Sequence, residues 1–249
     1  SLPLHACAQR RALAQEDGPR VSEGTPVAET GAPAALAEFA RDFYHCADCN
    51  YCVDATWAER GIDHVCPTIA HHQAIASYSG RGFLAAARAW YEGTALDEAA
   101  LAARVFACTG CGNCEALCPI GLRPAQIGQT LRETLAARDQ LPPAVARLRA
   151  NMRTHGNPDG RPAAMRVDWA RDLDFATHDA SVLYAPGCAA ALRAPQEAAA
   201  AVRLLQAAGE RVACRGTADR CCGAPLREAG LAEDALQAEA RLAGGMQAT

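Results

Sequence analysis

Lysine is missing from this chain of 249 residues; all 24 basic side chains are arginine. Together with an excess of alanine, this points to a GC-rich coding sequence and says nothing about activity. Aromatic residues make up only 5% of a chain that is 50% hydrophobic, so small side chains supply much of its apolar content. That is still enough for the cores of two modest domains. Positive charge is not in excess: the net charge of −4 leaves no electrostatic case for nucleic acid or an anionic lipid surface. No uninterrupted apolar run approaches the roughly eighteen to twenty residues of a spanning helix. Direct membrane insertion is therefore not expected, and any membrane link runs through a partner. The chain opens on Ser1 without a signal-peptide pattern. It is expected to be processed or trimmed, and cut at its C-terminal end as well.

What the chain has in quantity is cysteine, 13 in all. Cys108, Cys111, Cys114 and Cys118-Pro119 form a C-x2-C-x2-C-x3-C-P run, the pattern of a bacterial-type [4Fe–4S] ferredoxin loop. Such a loop delivers three thiolates to three corners of a cubane, and small residues such as Gly110 and Gly112 free backbone N–H groups to face the sulfides. The fourth cysteine of such a run ligates the other cluster of a pair. A partner motif is present in Cys46, Cys49 and Cys52, with Cys66-Pro67 behind it. The expected ligand sets are therefore crossed: Cys46, Cys49, Cys52 and Cys118 for one cluster, Cys108, Cys111, Cys114 and Cys66 for the other. Thirteen residues, 53–65, separate Cys52 from Cys66, where the second motif has three; His64 is a weaker substitute donor. Four-cysteine zinc sites use two C-x2-C pairs rather than two triples each followed by Cys-Pro. An odd cysteine count also fits a disulfide framework poorly. Cysteine chemistry of this kind fits a reducing cytoplasm or an anaerobic setting better than a secreted one.

Residues 1–32 read as a mobile arm or linker, with a short amphipathic helix over 2–13 that carries an isolated Cys7. From Pro33 the pattern is helical: Leu36 to Tyr44, Ile69 to Tyr78, Arg81 to Tyr91, a helix capped by Asp97, and two more opened by Pro124 and by Pro142-Pro143. Forty-one residues lie between Cys66 and Cys108, too many for a compact β-hairpin ferredoxin. Residues 33–155 are expected to form an α-helical ferredoxin domain with two [4Fe–4S] clusters. His155 to Arg161 is rich in turn formers and marks a boundary. Beyond it, strands at 181–185 and 211–214 alternate with helices at 195–208 and 231–242, which predicts a small α/β domain with a parallel sheet over 156–249. The fold class is thus mainly α, followed by a smaller, truncated α/β domain.

Cys188 follows the first of those strands, at the sheet edge where open α/β folds bind ligands. Cys221-Cys222-Gly223 follows the second. Pro186-Gly187-Cys188 with Cys222-Gly223-Ala224-Pro225-Leu226 resembles the CCG cysteine-rich domain of heterodisulfide reductase catalytic subunits and their relatives. Those relatives include iron–sulfur subunits of glycolate, lactate and anaerobic glycerol-3-phosphate oxidation and of a sulfite-reduction membrane complex. Ser79-Gly80-Arg81-Gly82, Ala86 to Ala89, Glu92-Gly93 and Asn157-Pro158-Asp159-Gly160 extend the resemblance over residues 34–243. It implies an iron–sulfur electron-transfer subunit of a multi-subunit oxidoreductase, cytoplasmic or at the inner membrane face. Its partners would be a flavoprotein and a membrane quinone-reactive subunit. It also implies a third iron–sulfur cluster on Cys188, Cys221 and Cys222. That site is incomplete, because the family's further C-x-x-C or second CCG repeat is missing from the 27 residues after Cys222. Cys214 is a weaker substitute. The alternatives are disulfide reduction at a CCG-bound cluster and, from another class, a zinc-stabilised interaction protein.

Other residues have simpler expectations. His45, His71 and His72 lack ligand spacing. Trp57, Trp90, Tyr91 and Trp169 are expected to pack. Arg81, Arg123 and Arg161 are expected at the solvated surface.

Overall fold

The computed structural model describes residues 33–247; the expected arm over 1–32, with its short helix and Cys7, lies outside them. A 3-10 turn, Ala34–Phe39, leads into helix α1, Ala40–Tyr44, and carries the first triple's approach. Leu36, Phe39 and Phe43 are buried there. The thirteen residues between Cys52 and Cys66 form a β-hairpin of β1, Asp54–Trp57, and β2, Ile62–His64, which the sequence reading did not anticipate. Val65 N donates to Val53 O at 3.0 Å, so the hairpin closes on itself and returns the chain beside the point where it left.

Helix α2 is only Pro67–Ala70. The helical spacing over 69–78 does not become a helix, because Gln73 and Ala74 adopt left-handed φ of 53° and 57°. The bend stacks His72 on Tyr78 at 3.9 Å and brings the Tyr78 carbonyl within 3.9 Å of Cys66 Sγ. Helix α3, Gly80–Tyr91, buries Phe83, Leu84, Ala87 and Trp90 at helical spacing. Helix α4, Glu98–Val105, starts where the Asp97 side chain accepts from Ala100 N at 3.0 Å, as the sequence predicts. A single turn, α5, Asn113–Ala116, sits inside the second motif. Helix α6, Pro124–Ala137, opens on proline as expected and buries Ile127, Leu131 and Leu135 against α3 and α4.

Helix α7, Pro143–His155, ends at Gly156 in the left-handed region. It precedes the turn-rich break, yet its Val145, Leu148 and Met152 pack with Cys221, Leu226, Leu231 and Ala235. Arg149 and Arg153 both pair with Asp234 from that side. By packing, α7 therefore joins the C-terminal core. The break itself is organised by Asn157, fully buried: it donates to the carbonyls of His155 and Arg161 and accepts from the N–H groups of Asp159 and Arg161.

The C-terminal part has the predicted order. Strand β3, Val182–Tyr184, is followed by the short helix α8, Gly187–Leu192, and by α9, Pro195–Ala207. Strand β4, Val212–Cys214, pairs parallel with β3, with Tyr184 opposite Cys214. Helix α10, Ala224–Glu228, and α11, Ala232–Gln247, complete it. Trp169 anchors this core, with its Nε1 donating to Arg166 O at 2.7 Å and its ring edge-on to Phe175 and Tyr184. Helix predominates among the described residues, and none of their helices is long and apolar enough to cross a membrane.

Candidate metal centres and a buried thiol pair

The two cysteine triples fold alike, position by position. In the second, Gly110 and Gly112 have φ of 70° and 75°; at the matching places in the first, Asp48 and Asn50 have φ of 51° and 62°. Two left-handed residues per loop turn the chain tightly enough to aim three thiols inward. Glycine does this without strain, and Asp and Asn are the side-chain types that tolerate it best. The middle thiol of each triple, Cys49 and Cys111, is exposed, and the flanking ones are half-buried. Arg81 holds the first loop from α3: its Nε donates to Asp48 Oδ1 at 3.1 Å and its Nη1 to Asn50 Oδ1 at 2.5 Å. Arg81 is thus a structural clamp rather than a solvated surface residue.

The structure brings Cys46, Cys49, Cys52 and Cys118 together around one hollow, with Asp48, Arg81 and Leu122 on its walls. It brings Cys66, Cys108, Cys111 and Cys114 around another, a cavity of about 540 Å³. Cys114 lies on the wall of both. His64 does not line either; its Nδ1 faces Asp54 at 3.5 Å. The returned end of the hairpin is fixed to the second motif, where Asn113 Nδ2 donates to Val65 O at 3.2 Å. Helix α3 approaches so closely that a Cβ on Gly80 would stand 2.7 Å from Cys114 Cβ and 2.9 Å from its sulfur. Backbone N–H groups face the sulfurs: Gly110 N is 3.4 Å from Cys108 Sγ, and Leu122 N is 3.3 Å from Cys118 Sγ.

Without metal, Cys46, Cys52 and Cys114 resist ionisation. Burial, reinforced by the neighbouring thiols, pushes Cys52 up to about 11 and Cys114 up to about 12; burial likewise raises Cys46. Four thiolates cannot share such a space without cationic charge among them, and iron in a cubane supplies it. Each quartet of sulfurs thus matches a [4Fe–4S] core in donor type and number. Among the described residues no three His, Cys, Asp or Glu side chains converge as a single metal ion requires.

Arg132 is the charged residue that the sequence reading missed at the second cavity. Though 9% exposed, its guanidinium donates to Val105 O at 3.1 and 3.2 Å, to Cys108 O, and to Glu228 O at 2.7 Å. Burial works against its charge, and Cys108 favours it. Arg132 therefore ties the metal loop to the C-terminal part. Glu228 and Ala229 from that part also line the cavity.

Of the three cysteines expected at a third site, the structure joins two. Cys188 and Cys221 pack in one apolar cluster, and Cys222 is exposed. Cys214, the weaker substitute, packs with the Trp169 core. Arg166, only 3% exposed, donates from Nη2 to Cys188 Sγ at 3.0 Å and to Gly156 O at 3.2 Å. Its other terminal nitrogen faces Asp219 at 3.5 Å. The neighbouring Cys221 thiol, aided by Arg166, holds Cys188 down to about 6 despite burial, while Cys221 is raised.

Residues 42–122 match the family model of a 4Fe-4S dicluster domain, the stretch that carries both triples, Cys66 and Cys118. No curated protein and no solved structure matches the chain significantly. The family match supports an iron–sulfur protein that binds 4Fe–4S clusters, and with it electron transfer as the class of function.

Proposed function

We propose that this chain is the iron–sulfur electron-transfer subunit of a multi-subunit oxidoreductase, holding two [4Fe–4S] clusters on crossed ligand sets. Cys46, Cys49, Cys52 and Cys118 hold one; Cys108, Cys111, Cys114 and Cys66 hold the other. The observation that carries this reading is that two quartets of thiols surround two hollows that share Cys114 as a wall. A cubane supplies one-electron redox chemistry, and the chain's own part is to place two of them side by side, shield them and set their charge environment. The rim of the first hollow is the face for exchange with a partner: Cys49 is exposed there, with Tyr51 and Ile120 about half-exposed beside it. A flavoprotein or a membrane quinone-reactive subunit fits that role, in line with the resemblance to heterodisulfide-reductase-type subunits.

Oxygen-free purification followed by iron and sulfide analysis tests this directly. Two cubanes give about eight irons and eight sulfides per chain, with paired, interacting EPR signals on reduction. Zinc near two per chain with no visible absorption would establish the interaction-protein alternative instead. Disulfide chemistry in the C-terminal part is the second reading, favoured by the buried arginine on Cys188.

A further inference from the structure

Beyond its thiols, the cavity of the second cysteine quartet is largely apolar, with Phe83, Phe106, Val145 and Leu148 on its wall. Three buried polar side chains interrupt that wall: Thr68 at 5% exposure, Ser79 at 0% and Arg132 at 9%. Two of them already donate to the backbone. Ser79 Oγ donates to Ala76 O at 2.7 Å, and the Arg132 guanidinium donates to the carbonyls of Val105, Cys108 and Glu228. Thr68 differs: its Oγ1 is buried and has no hydrogen-bond partner among the described residues. The local reason is its place in the chain. A helical threonine ordinarily bonds back to a carbonyl three or four residues earlier. Helix α2 begins at Pro67, so no helical carbonyl stands behind Thr68. A hydroxyl buried without a partner costs stability and calls for an explanation. Thr68 stands two residues after Cys66, the thiol that completes this quartet, and the fully buried Ile69 beside it pins the turn. The other Cys-Pro pair has no such donor: Cys118-Pro119 is followed by Ile120, 49% exposed on the rim of the first hollow.

We propose that the Thr68 hydroxyl donates a hydrogen bond to a sulfur of the second cluster and raises that cluster's reduction potential above what its thiols alone would set. This rests on the two-cluster reading above and adds a direction to it. Reduction places more negative charge on the sulfurs, so a donor aimed at one of them binds the reduced form more tightly than the oxidised form. An apolar wall strengthens that preference. With isoleucine in the matching place at the first site, the hydroxyl acts on one cluster only. It therefore biases electrons to move from the first cluster to the second. Thr68 is a positioning residue in this scheme: it bonds to a sulfur and leaves the iron to the four cysteines.

The test is an EPR redox titration of the full chain with its clusters, prepared without oxygen, beside Thr68→Val and Thr68→Ser. Cys111→Ser, which alters the second quartet alone, assigns the two midpoints. Thr68→Val exchanges the hydroxyl for a methyl group of similar size. It should keep about eight irons per chain. It should lower the second midpoint by about 60 mV, a tenfold shift in a one-electron equilibrium, and leave the first in place. Thr68→Ser keeps the hydroxyl and should restore at least half of that drop. Pulsed EPR of the reduced chain in D2O should show one exchangeable deuteron more at the second cluster than Thr68→Val does. In the iron-free chain Thr68→Val should raise the denaturant midpoint, because there the hydroxyl has no acceptor. The proposal is overturned if Thr68→Val leaves the second midpoint where it was, moves both midpoints equally, or loses iron. It is equally overturned if Thr68→Ser falls as far as Thr68→Val, or if Thr68→Val weakens the iron-free chain. A chain that holds no iron defeats the relay reading and this proposal together; eight irons with an unmoved second midpoint in Thr68→Val defeat this proposal alone.

Discussion

At the residue scale, a few side chains carry constraints that their type alone does not announce. Gly80 sits where any Cβ collides with Cys114. Gly80→Ala is expected to displace that thiol and lower iron from about eight to about four per chain, or below if the shared wall takes both sites with it; iron analysis and EPR read this out. Asn157 makes four hydrogen bonds from a fully buried amide. Asn157→Ala should destabilise the chain by about 2–3 kcal/mol in denaturant titration, since it strands buried backbone groups. Cys221, and after it Arg166, hold Cys188 down to about 6. Alkylation of Cys188 should therefore be half-maximal near pH 6, and Arg166→Lys should move that midpoint towards the 9 of an ordinary thiol. None of the three roles is visible in sequence. Arg166 is one of 24 arginines, and only tertiary packing decides which of them is buried against a sulfur.

At the scale of elements, the legible parts were those governed by local rules. Ligand spacing is local, so both triples and their trailing Cys-Pro pairs could be read directly. Proline openings, the Asp97 cap and the period of apolar residues placed α3, α4, α6, α7 and α9 to within a residue or two. The parallel pairing of β3 with β4 followed from the order of strand and helix. The β1–β2 hairpin was not legible, because a short strand pair with Asp54, Ile62 and Asp63 exposed lacks a buried alternating face. The failed helix over 69–78 turned on two non-glycine residues in the left-handed region, which no propensity forecasts. The hairpin's closure at Val53 and Val65 shows that its tip is not what delivers Cys66. Replacing residues 54–64 by one glycine restores the three-residue spacing of the second motif. The shortened chain should keep about eight irons in iron and sulfide analysis.

At the scale of the molecule, α6 is the spine on which both parts meet. Gly230 packs so tightly that a Cβ there would stand 2.6 Å from the Arg132 backbone, and Gln129 donates to Arg227 O at 2.7 Å. Arg132→Gln removes a buried cation beside the second quartet. Adding an electron to an anionic cluster then becomes harder, and its midpoint should fall by about 60 mV, a tenfold shift in a one-electron equilibrium, in an EPR redox titration. Proton binding is coupled to the whole fold as well. In the iron-free chain Cys52 and Cys114 keep their protons to about 11 and about 12, against 9.0 for an ordinary thiol. The folded form then binds protons more tightly than the unfolded one. Its stability is fully present below pH 9 and falls as pH rises through 9 to 12, which denaturant midpoints at pH 8 and 10 will register.

The crossing of the thiol quartets also sets an order of events during synthesis. A chain emerging from the ribosome exposes Cys46, Cys49 and Cys52 long before Cys118, and Cys66 before the triple it completes. The second quartet is complete only when residue 114 has appeared and the first only at residue 118, so metal insertion belongs to a nearly finished domain rather than to a nascent loop.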